Sequence, residues 1–111
     1  MQHISWEDFE KVEMRIGTIT EVAAFPQAHK PAYKLKIDLG ELGIKQSSAQ
    51  ITKLYTREEL LGKQVLCVTN FPPKQIANYI SEVLVTGFPL GKGKIILAVA
   101  DKPLPNGTIL A

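Results

Sequence analysis

The sequence has one cysteine, few aromatic residues and no long apolar run, and these shortages exclude several classes of protein. A single cysteine excludes an internal disulfide and a cysteine metal cluster, so Cys67 is expected to be a small buried hydrophobic residue. No segment approaches the roughly 18 apolar residues of a membrane span, and the first residues lack a basic head followed by an apolar block. We therefore expect a soluble, cytoplasmic protein without membrane insertion.

Catalytic groupings are also scarce. His3 lies near a terminus, and His29 lies in a proline-containing loop without a neighbouring nucleophile or paired carboxylate. The glycine-rich segment 87–94 is read as a hairpin loop, because no Ser or Thr follows its Gly-Lys pairs and no helical pattern follows the loop. The sequence predicts that the protein is not an enzyme and that it holds no cofactor and no metal.

Charge is distributed unevenly along the 111 residues, although the net charge is only +2. Residues 1–14 are mainly acidic, whereas residues 30–74 contain eight Lys or Arg residues against four acidic ones. Local positive charge attracts phosphate groups, and equally it is a common property of a solvated face. The length fits a single domain, which we divide into an N-terminal helix (1–14), a barrel (15–100) and a C-terminal extension (101–111).

The predicted elements are mostly short strands. Ser5 begins a short amphipathic helix that continues to Val12, and Thr56 caps a second helix at residues 57–61. Strands are predicted at 15–24 (with a bulge or bend at Gly17), 33–39, 44–51, 64–69, 82–86, 95–100 and 108–110. This order predicts an all-β fold with short helices, namely a Greek-key β-barrel of the oligonucleotide-binding (OB) type. An open meander packed on one helix is the alternative.

Polar side chains interrupt this pattern at three places. Residues 44–51 carry polar groups on both faces of a predicted strand, which indicates either a binding surface or a solvated edge strand. Two further polar segments, at 70–74 and 81–82, lie where strands end or begin. The candidate ligand-binding residues are Lys45, Gln46, Ser47, Ser48, Gln50, Asn70, Phe71, Lys74, Ser81 and Glu82. Such groups can meet phosphate, ribose or base edges of RNA, or the backbone of an extended peptide.

Several motifs resemble the tRNA-binding domain family, an OB-fold module that occurs free-standing, at the C-terminus of methionyl-tRNA synthetases and in endothelial monocyte-activating polypeptide II. Within this family the chain is most similar to the CsaA-type protein-export chaperones. The matching motifs, which follow one another along nearly the whole chain, are DFEK (8–11), RIGTI (15–19), GIKQSSAQITK (43–53), NFPP (70–73), SEVLV (81–85) and PNGT (105–108).

The resemblance implies a homodimer joined through the N-terminal helix and the C-terminal residues. It also implies ligand-facing positions at Ser47, Asn70, Ser81 and Glu82, with Lys45 and Lys74 as backbone contacts. Relatives that bind tRNA often carry Ser-x-Gly-Met where this chain has Ser81-Glu82-Val83-Leu84. Two functions are therefore considered.

The first function is a chaperone that holds unfolded or pre-secretory polypeptide, with Phe71 and Ile76 forming an apolar pocket beside the polar strand. In this hypothesis the extended backbone of the polypeptide would bond to Gln46, Ser48 and Asn70. The second function is recognition of tRNA by its shape, independent of the anticodon. Here the lysines would neutralise phosphates, while serines and Asn70 would contact sugars and bases.

Overall fold

A curved five-stranded antiparallel sheet frames the molecule in the computed structural model, which describes residues 1–111. The strands are β1 (Met14–Ala24), β2 (Tyr33–Asp38), β3 (Ile44–Ala49), β4 (Gln64–Val68) and β7 (Leu84–Val85), arranged in the order β3-β2-β1-β4-β7. Two hairpins complete the fold, β5 (Lys74–Ile76) with β6 (Tyr79–Ser81), and β8 (Gly87–Gly91) with β9 (Lys94–Leu97). The short helices are α1 (Trp6–Glu10) and α2 (Arg57–Leu60).

The sheet curls until its two ends nearly meet. The backbone N–H of Glu82, just before the end strand β7, donates to the carbonyl of Gln46 on the other end strand, β3, over 2.8 Å. The N–H of Leu66 on β4 donates to the carbonyl of Ala98, just after β9, over 3.1 Å and so attaches the β8–β9 hairpin to the sheet. The predicted OB-type barrel is therefore confirmed, and the alternative of an open meander is not found.

The interior of the barrel is filled by branched apolar side chains. Alternate residues of β1, β2 and β4 point inward, and the fully buried apolar ones are Ile19, Leu35, Ile37, Val65 and Cys67, together with Leu39 just after β2 and Leu60 of α2. Cys67 is buried as predicted, and this burial raises the pKa of its thiol to about 12. The thiol is thus a packing group without nucleophilic character at neutral pH.

The prediction of a bulge at Gly17 was wrong in position. The register of β1 against β2 shifts at Thr20, between the pairs Ile19–Ile37 and Glu21–Lys36. Gly17 instead permits close packing, because a Cβ atom there would lie 2.5 Å from Cγ2 of Ile37 and 2.7 Å from Cδ2 of Leu39. Gly17 therefore lies where β1 packs closely against the side chains of Ile37 and Leu39, and the bulge lies three residues later.

Both predicted helix starts are confirmed. The Ser5 hydroxyl accepts from the N–H of Asp8, whose carboxylate accepts from the N–H of Ser5, and Thr56 and Glu59 form the same reciprocal pair. These capping boxes satisfy amide groups that a helix start leaves unpaired. Helix α1 ends at Glu10, two residues before the predicted end.

The hairpin predicted at 87–94 is confirmed, but its loop is shorter than predicted. Gly87–Gly91 pairs with Lys94–Leu97, and the turn is confined to Lys92 and Gly93, which both have positive φ angles. Glycine-rich composition concealed β8 because glycine is uncommon inside strands. The β5–β6 hairpin was not predicted from the sequence. The strand predicted at 108–110 is reduced to an isolated bridge between Ile109 and Arg15.

The C-terminal extension pairs with the edge of β1. Gly107 donates to Ile16 over 2.7 Å, and the N–H of Leu110 donates to Met14 over 2.9 Å. The Asn106 side chain accepts from the Thr18 hydroxyl at 2.7 Å. These bonds bring both ends of the chain together beside the first residues of β1. No helix of the structure has the length and apolar character needed to cross a membrane.

Candidate ligand-binding surface

The predicted polar residues of β3 and of segment 81–82 meet along one line, which we call the seam: residues 46–48 against residues 80–82. The N–H of Gln46 donates to the Glu82 carboxylate at 3.1 Å, and the N–H of Ser48 donates to the Ser81 hydroxyl at 3.1 Å. The side-chain amide of Gln46 donates to the carbonyl of Ile80 at 2.7 Å. These side chains close the barrel, a structural role that sequence alone did not indicate.

Two of the predicted ligand-binding residues, Ser47 and Asn70, form hydrogen bonds within the protein. Ser47 is fully buried inside the barrel, where its hydroxyl donates to the carbonyl of Ser48, so it presents no surface to a ligand in this conformation. Asn70 lies at the end of β4 and clamps the link between α1 and β1. Its side-chain oxygen accepts from the N–H of Glu13 at 3.0 Å, and its NH2 group donates to the carbonyl of Lys11 at 2.6 Å.

Six of the remaining predicted residues border two cavities, whereas Lys45 and Gln46 lie in a separate depression. The larger, which we call the central groove, has a volume of about 780 Å³ and runs between the 28–32 loop, the end of β3, the β5–β6 hairpin and β7–β8. Ser48, Gln50, Lys74 and Ser81 lie along it, with Gln50 and Lys74 exposed. Its apolar lining includes Ala32, Ile51, Ile76, Leu84, Val85, Pro89 and Ile95.

The second cavity, the side pocket, has a volume of about 400 Å³. Phe71, Pro72, Glu82 and Val83 line it, together with Lys74, Ser81 and Leu84, which border the central groove as well. Phe71 is 57% exposed and therefore offers a free aromatic surface. The predicted apolar pair is divided between the cavities, with Phe71 in the side pocket and Ile76 in the central groove.

The charge around these cavities is not uniform. The central groove is bordered by Lys30 and Lys74 and by no carboxylate. Lys45 and Lys36 occupy a separate depression that also contains Glu21 and Glu82, and Lys36 pairs with Glu21 at 3.4 Å. Lys74 shares the side pocket with Glu82, so a phosphate would meet its most favourable field inside the central groove, which has no carboxylate on its border.

Sequence reasoning missed an aromatic cluster that supports the hairpin. Phe25 is buried beneath Tyr79, with ring centroids 5.5 Å apart in an edge-on arrangement, and the Lys34 ammonium lies 5.6 Å from both centroids. The Tyr79 hydroxyl donates to the carbonyl of Leu35 at 3.2 Å. Burial, with a smaller contribution from Glu82, raises the pKa of Tyr79 above its usual value. Three separated segments supply these residues, so no local motif marks the cluster.

Exposed apolar side chains occur in the N-terminal segment and in the C-terminal extension, which both adjoin the first residues of β1, and we call them the chain-end patch. Its members are Ile4, Trp6, Val12, Ile109 and Leu110, of which Trp6 is 79% exposed. Helix α1 has no fully buried residue, and of its apolar side chains Phe9 is half-buried whereas Trp6 is exposed. An apolar patch of this kind is typical of a protein interaction site.

This architecture defines the class of protein, a small OB-type barrel with an apolar groove beside its closing seam. Residues 14–109 match the family model of the tRNA binding domain. The chaperone CsaA of Bacillus anthracis str. Ames superposes with a TM-score of 0.94 at 48% identity, covering 99% of this chain and 100% of that one. CsaA from Picrophilus torridus gives 0.90 at 48% identity, covering 98% of this chain and 100% of that one. The chain therefore belongs to the tRNA-binding domain family and, within it, to the CsaA-type proteins.

Methionine–tRNA ligases contain a similar segment. The ligase of Pyrococcus furiosus is 37% identical over 107 residues, which are 96% of this chain and 14% of the ligase. The ligase of Leptospira biflexa is 39% identical over 96% of this chain and 15% of the ligase. The chain thus spans about one seventh of these relatives, and their ligase activity does not transfer to it. A MetRS-related protein from Pyrococcus horikoshii shares the fold, with a TM-score of 0.87 at 23% identity.

Proposed function

We propose that this protein is a non-enzymatic, homodimeric chaperone that holds unfolded or pre-secretory polypeptide in an extended form. The central groove is the observation that carries the proposal, because it offers a large apolar surface beside exposed hydrogen-bonding groups. Full-length similarity to two proteins described as CsaA chaperones supports it. A cytoplasmic location remains a prediction from the sequence.

The groove suits apolar side chains of an unfolded chain. Its volume of about 780 Å³ lies within the range of roughly 300–1,000 Å³ found for ligand cavities, and its floor is mostly aliphatic. Unfolded polypeptides expose apolar side chains that folded proteins bury, so removing them from water drives binding. Gln50, on the exposed margin of the groove, can contact the polypeptide backbone. Binding of this kind recognises any exposed apolar segment and does not require a particular sequence.

The chain-end patch supports the homodimer. Trp6 and Ile4 of the α1 region, and Ile109 and Leu110 of the C-terminal extension, are exposed on one chain and would be covered by a second copy. A dimer would carry two grooves, which allows one polypeptide to engage both sites with increased avidity. Trp6→Glu is expected to convert the dimer into a monomer in light scattering at micromolar concentration. A wild-type monomer under the same conditions would contradict this part of the proposal.

The groove is tested by fluorescence anisotropy with a labelled, permanently unfolded polypeptide. Ile76→Asp places a charge in the groove and is expected to weaken binding by about tenfold or more, since burial of one such side chain provides roughly 1.5–3 kcal/mol. Leu90→Asp is the matched control, because Leu90 is exposed on β8 outside the groove. Equal affinities for both variants and the wild type would refute the location of the site.

Binding of tRNA is the second candidate, favoured by a separate group of cations. Lys92 and Lys94 lie at the β8–β9 turn, and the ammonium of Lys53 donates to the carbonyl of Lys92. Together with Lys30 and Lys74 of the groove, these side chains could follow a phosphate backbone. The match to a tRNA binding domain model over residues 14–109 supports this candidate.

A filter-binding titration of total tRNA across salt concentration tests the second candidate. Each neutralised phosphate contributes about 0.7 to 0.9 to the slope of log affinity against log salt. Lys74→Ala is expected to reduce this slope by one such step, and Lys45→Ala by less, because Glu21 and Glu82 lie beside Lys45. Both variants together should weaken RNA binding more than polypeptide binding, and an equal loss of both would remove this distinction. Absence of tRNA binding at low salt would eliminate this candidate.

A further inference from the structure

The closing seam of the barrel is held mainly by side chains. Strand β3 is the end strand of the five-stranded sheet, and along the seam only the bond from Glu82 to Gln46 joins two backbone groups. The amides of Gln46 and Ser48 are satisfied instead by the Glu82 carboxylate and the Ser81 hydroxyl. A strand edge of this kind is a template for pairing with another extended chain once its side-chain partners withdraw.

The element that covers this edge is small, and it is attached through Tyr79 and the seam. The β5–β6 hairpin has three residues in each strand, forms its own two-stranded sheet and contains no buried residue. Its turn places Ala77 at a φ of 51°, a conformation that is unfavourable for a residue with a Cβ atom. An isolated short hairpin is marginally stable in water, so its attachment through Tyr79 and the seam decides its position.

The base of the hairpin also separates the two cavities. Lys74, Ser81 and Leu84 border both the central groove and the side pocket. Withdrawal of the hairpin from β3 would join these cavities into one trough beside the β3 edge. The trough would then offer backbone hydrogen-bonding groups and an apolar surface together.

We propose that the β5–β6 hairpin detaches from β3 and that the freed edge, at Gln46 and Ser48, pairs with the backbone of an extended polypeptide segment. This inference rests on the proposed chaperone function and specifies how the polypeptide is held. Alternate apolar side chains of the segment enter the trough, while its backbone replaces Glu82 and Ser81 as the partner of β3. Recognition through the backbone explains how one site accepts many sequences.

The chemistry of the edge favours polypeptide over nucleic acid. The N–H and C=O of Gln46 and the N–H of Ser48 follow the alternation of donors and acceptors that another β-strand complements. A phosphate at this position would lie beside the Glu82 carboxylate, which accepts from Gln46 in the closed seam. RNA binding that competes with polypeptide binding at the seam would therefore count against the inference.

The first test removes one seam bond. Ser81→Ala eliminates the acceptor of the Ser48 amide and favours the open form, so affinity for the labelled unfolded polypeptide is expected to rise about fivefold. Thr56→Ala is the matched control, because its hydroxyl accepts from the N–H of Glu59 outside the groove and the seam, and its affinity should stay unchanged. If Ser81→Ala lowers affinity instead, Ser81 contacts the polypeptide directly and the inference is overturned.

The second test locks the seam. Gln46 and Glu82 are joined by a backbone bond of 2.8 Å, so the pair Gln46→Cys and Glu82→Cys is placed to form a disulfide across it. Cys67 is buried, with a pKa of about 12, and does not compete. The oxidised variant is expected to bind the polypeptide at least about tenfold more weakly than the same variant after reduction.

The two tests separate this inference from the function on which it rests. Unchanged affinity of the oxidised protein, beside normal binding by the wild type, overturns the strand-pairing mode and leaves the chaperone proposal intact. If the wild type binds no unfolded polypeptide, the chaperone proposal fails, and the strand-pairing mode fails with it.

Discussion

Asn70 provides the sharpest distinction between the predicted ligand contact and the observed structural clamp. Its amide oxygen and NH2 group each bond to the link between α1 and β1, at Glu13 and Lys11. Neighbouring Thr69 reinforces the same junction, because its N–H donates to the Glu13 carbonyl at 2.9 Å. We therefore expect Asn70→Ala to release the N-terminal helix, which carries Trp6, without altering the central groove.

The magnitude follows from the two bonds that are lost. Each hydrogen bond contributes about 0.5–1.5 kcal/mol net, and the exposure of Asn70 places the pair toward the lower end, at about 1–2 kcal/mol. For a domain of this size, such a loss lowers Tm by roughly 4–10 °C. Because α1 is part of the chain-end patch, the proposed dimer of the Asn70→Ala variant should also be weaker. It should dissociate at a higher protein concentration than the wild-type dimer.

Urea unfolding and sedimentation at one fixed protein concentration measure both effects, since the stability of a dimer depends on concentration. Asn70→Asp is a graded control, because it retains the acceptor for Glu13 but loses the donor to Lys11. It should be destabilised yet retain a groove that binds unfolded polypeptide.

One pattern would refute the reasoning. If Asn70→Ala keeps the stability and dimerisation of the wild type but loses affinity for polypeptide or tRNA, then Asn70 is a ligand contact. The clamp would then contribute nothing measurable to the fold.

Other perturbations test the fold and its electrostatics. Gly17→Ala should lower the free energy of unfolding in urea by about 1–3 kcal/mol, because the new Cβ would overlap Ile37 and Leu39. Glu21→Ala, at an exposed position of the same strand, is the control and should change the free energy of unfolding by about 0.5 kcal/mol or less. A Gly17→Ala protein as stable as the wild type would contradict the close packing of Gly17 against Ile37 and Leu39. Hydrogen bonds from Thr69 and then Arg15 hold the pKa of Glu13 below its usual value of 4.5, so Glu13 stabilises the fold above that pH and loses this effect as the pH falls through the lowered pKa. Unfolding titrations between about pH 3 and pH 6 should therefore show a smaller loss of stability on acidification in Glu13→Gln than in the wild type, and equal losses would contradict the assignment.

The sequence indicated several of the residues that meet at the candidate site, but it did not indicate what those residues do there. Polar residues on both faces of 44–51 correctly indicated an unusual strand, and residues 81–82 do meet it at the seam. The pattern could not show that Glu82 and Ser81 cap the β3 edge, because that depends on how far the sheet curls. Nor could it show that Ser47 faces the interior, since a polar residue at an inward position looks the same in sequence as one at the surface.

The sequence alone determined the elements whose cause is local. Capping boxes at Ser5 and Thr56, alternation in β2 and the burial of Cys67 between apolar neighbours depend on residues only a few positions apart. The tertiary structure alone decided the shift of the bulge to Thr20, the hydrogen bonds of Asn70 to the N-terminal link and the position of the β5–β6 hairpin between two cavities. Each of these depends on contacts between segments that are distant in the chain, and they form only when the barrel closes.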